Sequence, residues 1–370
     1  MCSVFCILLY VLTGCTEITG GKTTQPEIRI IGQDIVTENT DNTVYLSLDD
    51  AEKSAYKAIV EAAGTFSEIV QFDSPLTKEQ IIKVFSLVYT QENTIFWLSS
   101  LASPRENGIK LNFRYSKEDT KFMQDKLSQT ASIILTGMKS DLDDYGKIKY
   151  IHDYIVLNCD FTESGENANS AYGVLIDKKA QCEGYAFTFA YLAKKAGLNC
   201  VTVTGTTADG ATHAWNKVEA DGNFYNIDCT WDDPQLSYTN PGYIRYLYML
   251  VPDRDIINIT HFPNELFKAP DCTAFSQNYF TKEGLLFGNA DAAIKTLTTQ
   301  IQTCTVNKKT ECEIRMDTQA AFDEVLYRLF EKNELSTIIE TINKQSAFAI
   351  TGVHNSHNEQ LMTVHLSLEF

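Results

Sequence analysis

The chain has 370 residues, of which 44% are hydrophobic, 21% charged and 11% aromatic, with a formal net charge of −17 and a sequence pI near 4.8. Such values belong to a globular protein with a sizeable core, and the length predicts two or three compact units. So acidic a surface repels phosphate backbones and anionic headgroups, which excludes nucleic acid as an expected partner and leaves membrane attachment to a specific anchor.

That anchor is predicted at the start of the chain. Residues 4–13 (VFCILLYVLT) form an apolar run too short to span a bilayer, followed at once by Gly14-Cys15-Thr16. A brief apolar segment ending in small residues is the pattern of an export signal. Leu12-Thr13-Gly14-Cys15 also resembles a bacterial lipobox, although no Lys or Arg precedes Lys22. The resemblance implies a signal peptide over 1–14 and a lipid on Cys15, hence a lipoprotein of the bacterial surface or periplasm. An uncleaved apolar anchor is the alternative. Residues 15–42, rich in Thr, Gly, Asn and Gln, read as a tether.

Residues 43–140 read as an α-rich region. Ser47, the acidic pair Asp49-Asp50 and the spacing of Ala51, Ala55, Ala58 and Ile59 predict a helix over 47–64. Thr77 with Gln80 forms a capping-box pattern for a second helix through Ile81, Phe85 and Val88. Thr94–Leu101 and Lys110–Tyr115 favour strands around a Pro104…Gly108 turn, and further helices are predicted over 117–136 and 144–157.

Residues 141–270 hold the chemistry. A helix is predicted from Cys182 to just before Gly197, then a strand over 200–204 and a hairpin of strands 213–219 and 224–230 about Asp221-Gly222. In a two-residue turn that register sets Thr230 opposite His213 and Asp228 opposite Trp215. His213 and Asp228 are then diagonal neighbours on one face. A cysteine acts as nucleophile in its thiolate form, which a helix N-terminus and a partner imidazole both favour. The imidazole needs an acceptor on its far nitrogen to fix its tautomer. Cys182, His213 and Asp228 meet those needs together. Singly, each is more commonly a core thiol, a structural histidine or a turn residue.

The segments Cys182–Ala186 (CEGYA), His213–Asn216 (HAWN) and Asp228–Trp231 (DCTW), with TIFWL at Thr94–Leu98 and IHDYI at Ile151–Ile155, resemble bacterial transglutaminase-like proteins over about residues 90–260. The resemblance implies an α+β, papain-related core in which a Cys-bearing helix packs on an antiparallel sheet carrying His and Asp. It implies cysteine acyl transfer or amide hydrolysis on peptides or proteins through a thioester. Water or an amine could be the acceptor, so protease, amidase and transglutaminase stay open. A noncatalytic surface lipoprotein that binds through the same fold is the alternative.

Beyond the triad, the Cys182 N–H and Tyr172 are candidate oxyanion donors, and Trp215 and Trp231 are candidate groove residues. His152 reads as structural. Outside positions 2, 6, 15 and 182, six cysteines remain (Cys159, Cys200, Cys229, Cys272, Cys304 and Cys312), with no CxxC pair and no Cys/His cluster at zinc spacing. Neither metal nor cofactor is expected, and disulfide pairing stays open. Residues 271–370 read as a small α+β accessory unit. It has a strand over 312–316, a helix capped by Asp317 with Phe322, Val325, Leu326, Leu329 and Phe330 on one face, and strands near 346–351 and 361–368.

Overall fold

The computed structural model describes residues 43–234 and 243–370. The predicted signal peptide, Cys15 and the tether lie outside the described residues. Among those described, no helix is long and apolar enough to cross a membrane.

A single turn, α1 (Thr43–Leu46), precedes α2 (Asp50–Thr65). The cap of α2 is Asp49 rather than Ser47: its carboxylate accepts from Glu52 N at 2.8 Å, and Glu52 accepts from Asp49 N in return. Helix α3 (Lys78–Gln91) opens on the predicted Thr77–Gln80 box, with reciprocal bonds of 3.0 and 3.2 Å. Strands β1 (Ile69–Gln71), β2 (Ser103–Arg105) and β3 (Gly108–Lys110) form a small sheet with β3 in the middle.

The strand expected over Thr94–Leu101 does not form, and the segment folds as turns. Ile95, Phe96, Trp97 and Leu98 are all buried, so the segment lacks the alternating exposed face of a half-buried strand. Trp97 Nε1 donates to Ala63 O at 2.9 Å instead. The strand expected over 110–115 is corrected as well: β3 ends at Lys110, and beyond it only Phe113 makes an isolated bridge, to Leu98.

Helices α4 (Lys117–Thr136) and α5 (Asp144–Asn158) form as their periodicity predicts, capped by Ser116 and Asp143. Strands β4 (Asp160–Phe161) and β5 (Lys179–Ala180) pair in parallel around a π-helical turn at Gly173–Asp177. Then comes α6 (Cys182–Lys195), in which every residue from Gly184 to Ala193 is buried. A Cβ on Gly184 would meet Ala168 O at 2.4 Å and Ala180 Cβ at 2.8 Å, so only glycine lets this helix start sit so close to backbone.

Helix α6 packs on an antiparallel sheet of β6 (Cys200–Thr207), β7 (Thr212–Ala220), β8 (Asn223–Ile227) and β9 (His261–Pro263), in the order β8-β7-β6-β9. The hairpin register is the predicted one, with Asn216 opposite Ile227 and Ala220 opposite Asn223. Asn216 Nδ2 donates to Ala186 O at 3.0 Å and fastens the helix to the sheet.

Short helices α7 (Asp253–Ile256) and α8 (Tyr279–Lys282) flank the crossing into the last hundred residues. There β10 (Leu286–Phe287), α9 (Ala290–Asn307), β11 (Glu311–Met316), α10 (Gln319–Leu326), α11 (Glu334–Gln345), β12 (Gly352–Asn358) and β13 (Thr363–Glu369) build a second sheet of order β10-β11-β13-β12. The cap of α10 is Thr318 rather than Asp317, and the strand expected near 346–351 lies at β12.

All described residues belong to one compact unit with two large apolar clusters, one drawn from Val44 to Leu250 and one from Ala290 to Leu368. Residues 271–284 go with the first. Asn278 Nδ2 donates to Met249 O and Leu250 O at 3.3 Å each, and Tyr145 Oη donates to Glu283 at 2.8 Å. These contacts put the expected division near residue 285 instead of 271, with Leu361 packed back on Tyr248, Val251 and Ile256. A chain trimmed to 43–285 is expected to unfold cooperatively. One trimmed to 43–270 also loses the fully buried Phe280 and should lie about 3 kcal/mol or more lower in stability. Equal denaturation midpoints for the two would refute this division.

Candidate active site

Cys182 is the first residue of α6 and is partly exposed. The cap position is Gln181, whose side chain does not cap the helix; its Nε2 donates to Glu163 O at 2.6 Å. The first-turn N–H groups thus carry no side-chain cap, and their partial positive charge sits beside the Cys182 sulfur. Sγ lies 4.0 Å from Thr212 O, one residue before His213 on β7.

His213 reaches across the hairpin to Asp228, just beyond the end of β8, with Nε2 2.6 Å from Oδ2. This is the diagonal pairing the register predicts. With Nε2 so engaged, Nδ1 is the ring nitrogen left for the Cys182 sulfur, and the nearby thiol adds to the hold on the imidazole proton. Burial opposes charge on the His213 ring. The Asp228 carboxylate and Cys182 outweigh that, and the imidazole is pushed up to about 10. Burial likewise favours a neutral Asp228, but His213 and then His261 outweigh it and hold the carboxyl well below its usual range.

His261 is the residue that sequence reasoning missed. It sits on the short strand β9, is fully buried, and places Nε2 3.0 Å from the same Asp228 Oδ2. The local signal is weak: Ile259-Thr260-His261-Phe262-Pro263 has no periodicity, and only pairing of β9 with β6 brings it here. Its one trace in the sequence is scarcity, since the chain has just six histidines.

The cysteine lines a cleft of about 520 Å³. Phe85 and Tyr89 of α3, Phe161, Glu163, Thr212 and Leu266 form part of its wall, with His213. Three expectations change. Tyr172 is buried and stacked on Phe96 at 5.9 Å, and it does not line the cleft, so it is a core aromatic and not an oxyanion donor there. Trp215 is buried beneath the His213 ring at 6.1 Å, and Trp231 lies 5.3 Å from that ring. Neither lines the cleft; both pack against the imidazole.

His152 is fully buried, its two nitrogens 3.1 Å from Asp153 and 3.2 Å from Asp232. Burial opposes its charge, but the two carboxylates push it up to about 9. It joins α5 to the loop after Asp228, away from the cleft lining.

Among the described cysteines, Cys182 is the one that lines the cleft. Burial pushes the thiols of Cys159 and Cys272 up to about 12, and it raises those of Cys200 and Cys229 as well. Cys304 and Cys312 face each other at 3.5 Å in the second cluster. One group among the described residues has metal-ligand spacing: His213, Asp228 and His261, with ligand atoms within 4.8 Å of one another. Both rings already close on one carboxylate oxygen through protons. A cation would have to displace those protons and part the 2.6 Å and 3.0 Å contacts.

The raised His213 and lowered Asp228 together define a pH window. A raised imidazole adds stability that is complete below its unfolded value of 6.5 and is lost as pH climbs through about 10. A lowered carboxyl adds stability that is complete above 3.8 and is lost on acidification. The stability difference between the parent and His213→Leu, measured by chemical denaturation, should therefore peak between about pH 4 and 6.5, fall steadily from there to about pH 10 and be lost beyond it. A difference that stays flat from pH 5 to 10.5 would contradict a buried charged pair.

Residues 132–229, which contain Cys182, His213 and Asp228, match the transglutaminase-like superfamily. The kyphoscoliosis peptidase of Mus musculus is 24% identical over 198 residues, covering 45% of this chain and 29% of that protein. The kyphoscoliosis peptidase of Homo sapiens is 28% identical over 121 residues, covering 28% of this chain and 18% of its own length. The match thus spans less than a third of these curated relatives. A solved structure of a TGase is 16% identical, covering 46% of this chain and 52% of that one at a TM-score of 0.28. The chain is α+β, and its central segment is similar to a transglutaminase-like domain.

Proposed function

We propose that this protein is a cysteine acyl-transfer or amide-hydrolysing enzyme acting on peptide or protein amides, with Cys182, His213 and Asp228 as its triad. The observation that carries the reading is the 2.6 Å His213–Asp228 contact beside a cysteine that opens a helix and lines a cleft. Cys182 Sγ attacks the amide carbonyl carbon, and the carbonyl oxygen takes the negative charge. The N–H groups at the start of α6 stabilise that charge. His213 passes a proton to the leaving nitrogen, the C–N bond breaks, and a thioester remains. Water or an amine then attacks the thioester, His213 takes the acceptor's proton, the C–S bond breaks, and the acid or new amide leaves with Cys182 restored. Asp228 orients the ring throughout. The peptidase name of the curated relatives supports peptides as substrates.

The test is incubation with a peptide library, with and without a fluorescent primary amine. Cleavage identifies a peptidase, and amine incorporation a transglutaminase. Either activity should fall by a factor on the order of 10³ to 10⁶ in Cys182→Ala. If no peptide is cleaved or labelled under conditions where the protein is folded, the enzyme reading fails and a binding role for the fold takes its place.

We further propose that the protein acts outside the cytoplasm, held to a bacterial membrane by a lipid on Cys15. The apolar run over 4–13 ending at Gly14-Cys15 supports this. Expressed in a bacterial host, the parent should take up labelled fatty acid and fractionate with membranes, and Cys15→Ala should take up none. An unlabelled parent that fractionates like the variant would rule out the anchor.

A further inference from the structure

We propose that His261 is a positioning residue for the Cys182–His213–Asp228 array, holding the Asp228 carboxylate in the orientation that His213 needs. The inference rests on the proposed role of Cys182 as nucleophile and adds a fourth side chain to that site.

The argument starts from the acceptor capacity of one carboxylate. Asp228 Oδ1 accepts from Thr230 N at 2.9 Å and from Trp231 N at 3.2 Å. Oδ2 faces His213 Nε2 at 2.6 Å and His261 Nε2 at 3.0 Å. A carboxylate has about four lone-pair sites, and here every one is used. Because the carboxylate can only accept, both Nε2 atoms carry protons. On the far side of His261, Nδ1 lies 2.9 Å from Thr260 Oγ1, which fixes the ring's remaining freedom.

The ring is also wedged. His261 lies edge-on to Trp215 at 4.9 Å, against Trp231 at 4.5 Å and 5.3 Å from His213 itself. The strand that delivers it is seated by contacts that tolerate little change. A Cβ on Gly205 would fall 2.1 Å from Phe262 O, so β9 approaches β6 at a distance only glycine permits. Upstream, Asp253 is held by Lys217 Nζ at 2.9 Å and Asn226 Nδ2 at 2.8 Å, both from the β7–β8 hairpin. A buried neutral histidine needs a donor for its bare nitrogen, which Thr260 supplies, and any acceptor for its N–H. This one spends its proton on the same oxygen that His213 uses. Without that second donor, Oδ2 loses one of the contacts that define the carboxylate plane, and the His213 ring follows the carboxylate.

The experiment compares iodoacetamide labelling of Cys182, mapped by mass spectrometry, at pH 6 and pH 9 in the full chain. His213→Ala serves as the reference for a lost partner. His261→Gln keeps a donor near the position of Nε2, and His261→Phe keeps a ring without one. The pH 6 to pH 9 rate ratio should fall about tenfold in His261→Phe, toward the value for His213→Ala, and stay within about threefold of the parent in His261→Gln. A lost packing contact alone would lower both variants alike. Equal ratios in the two His261 variants, whether at the parent's level or below it, overturn the inference. A parent ratio no higher than that of His213→Ala instead overturns the nucleophile reading. Should His261→Phe fail to fold, ¹⁵N-histidine NMR of the parent and of His261→Gln decides. Protonated Nε2 and unprotonated Nδ1 on His261 at pH 7 support the inference, and the reverse tautomer overturns it.

Discussion

One carboxylate gathers the site. Asp228 accepts from two backbone N–H groups of its own turn and faces two imidazoles from different strands, so four donors from three parts of the chain converge on two oxygens. A carboxylate buried to this depth would be costly to ionise alone. Here the donors more than offset desolvation, and the group is held well below its usual range. The same charge, passed through a 2.6 Å contact, keeps the proton on His213 against the opposing effect of burial. The electrostatics of the cysteine's neighbour are therefore set by Asp228, a group the cleft does not touch.

Close backbone approach gives this arrangement its rigidity. Glycine at 184 lets the start of α6 rest on the carbonyl of Ala168, and glycine at 205 lets β9 rest against β6. The first fixes where the cysteine sits and the second where His261 sits. Trp215 and Trp231 then fill the space about the imidazoles, so that the two rings are confined by packing as well as by hydrogen bonds. The aromatic residues nearest the site thus act on the ring, whereas the cleft wall comes from α3 and from the loops around Phe161 and Leu266.

Much of the local structure was legible because it depends on short-range chemistry. The Thr77–Gln80 box and the register about Asp221-Gly222 are both set by residues within a few positions of one another. The register in particular made the His213–Asp228 contact readable before any coordinates, since a two-residue turn leaves one alignment of the flanking strands. Thr94–Leu101 misled for the opposite reason. Its composition suits a strand, but with Ile95, Phe96, Trp97 and Leu98 all packed inside, burial settled the backbone and propensity did not. Tyr172 misled similarly, because a tyrosine just before a nucleophile reads the same whether its ring faces a cleft or, as here, Phe96.

From residues alone Cys182 falls at a helix start, it precedes His213 and Asp228 in order, and the hairpin register joins the last two. Those features follow from capping, periodicity and turn geometry, which act over a few residues. Tertiary structure alone decided that His261, 33 residues beyond Asp228, shares its carboxylate oxygen, that the two tryptophans brace the imidazole, and that residues 271–284 pack with the first cluster. Contacts of that kind arise when distant segments compete for the same buried volume and the same acceptor atoms, and no local pattern of residues encodes the outcome.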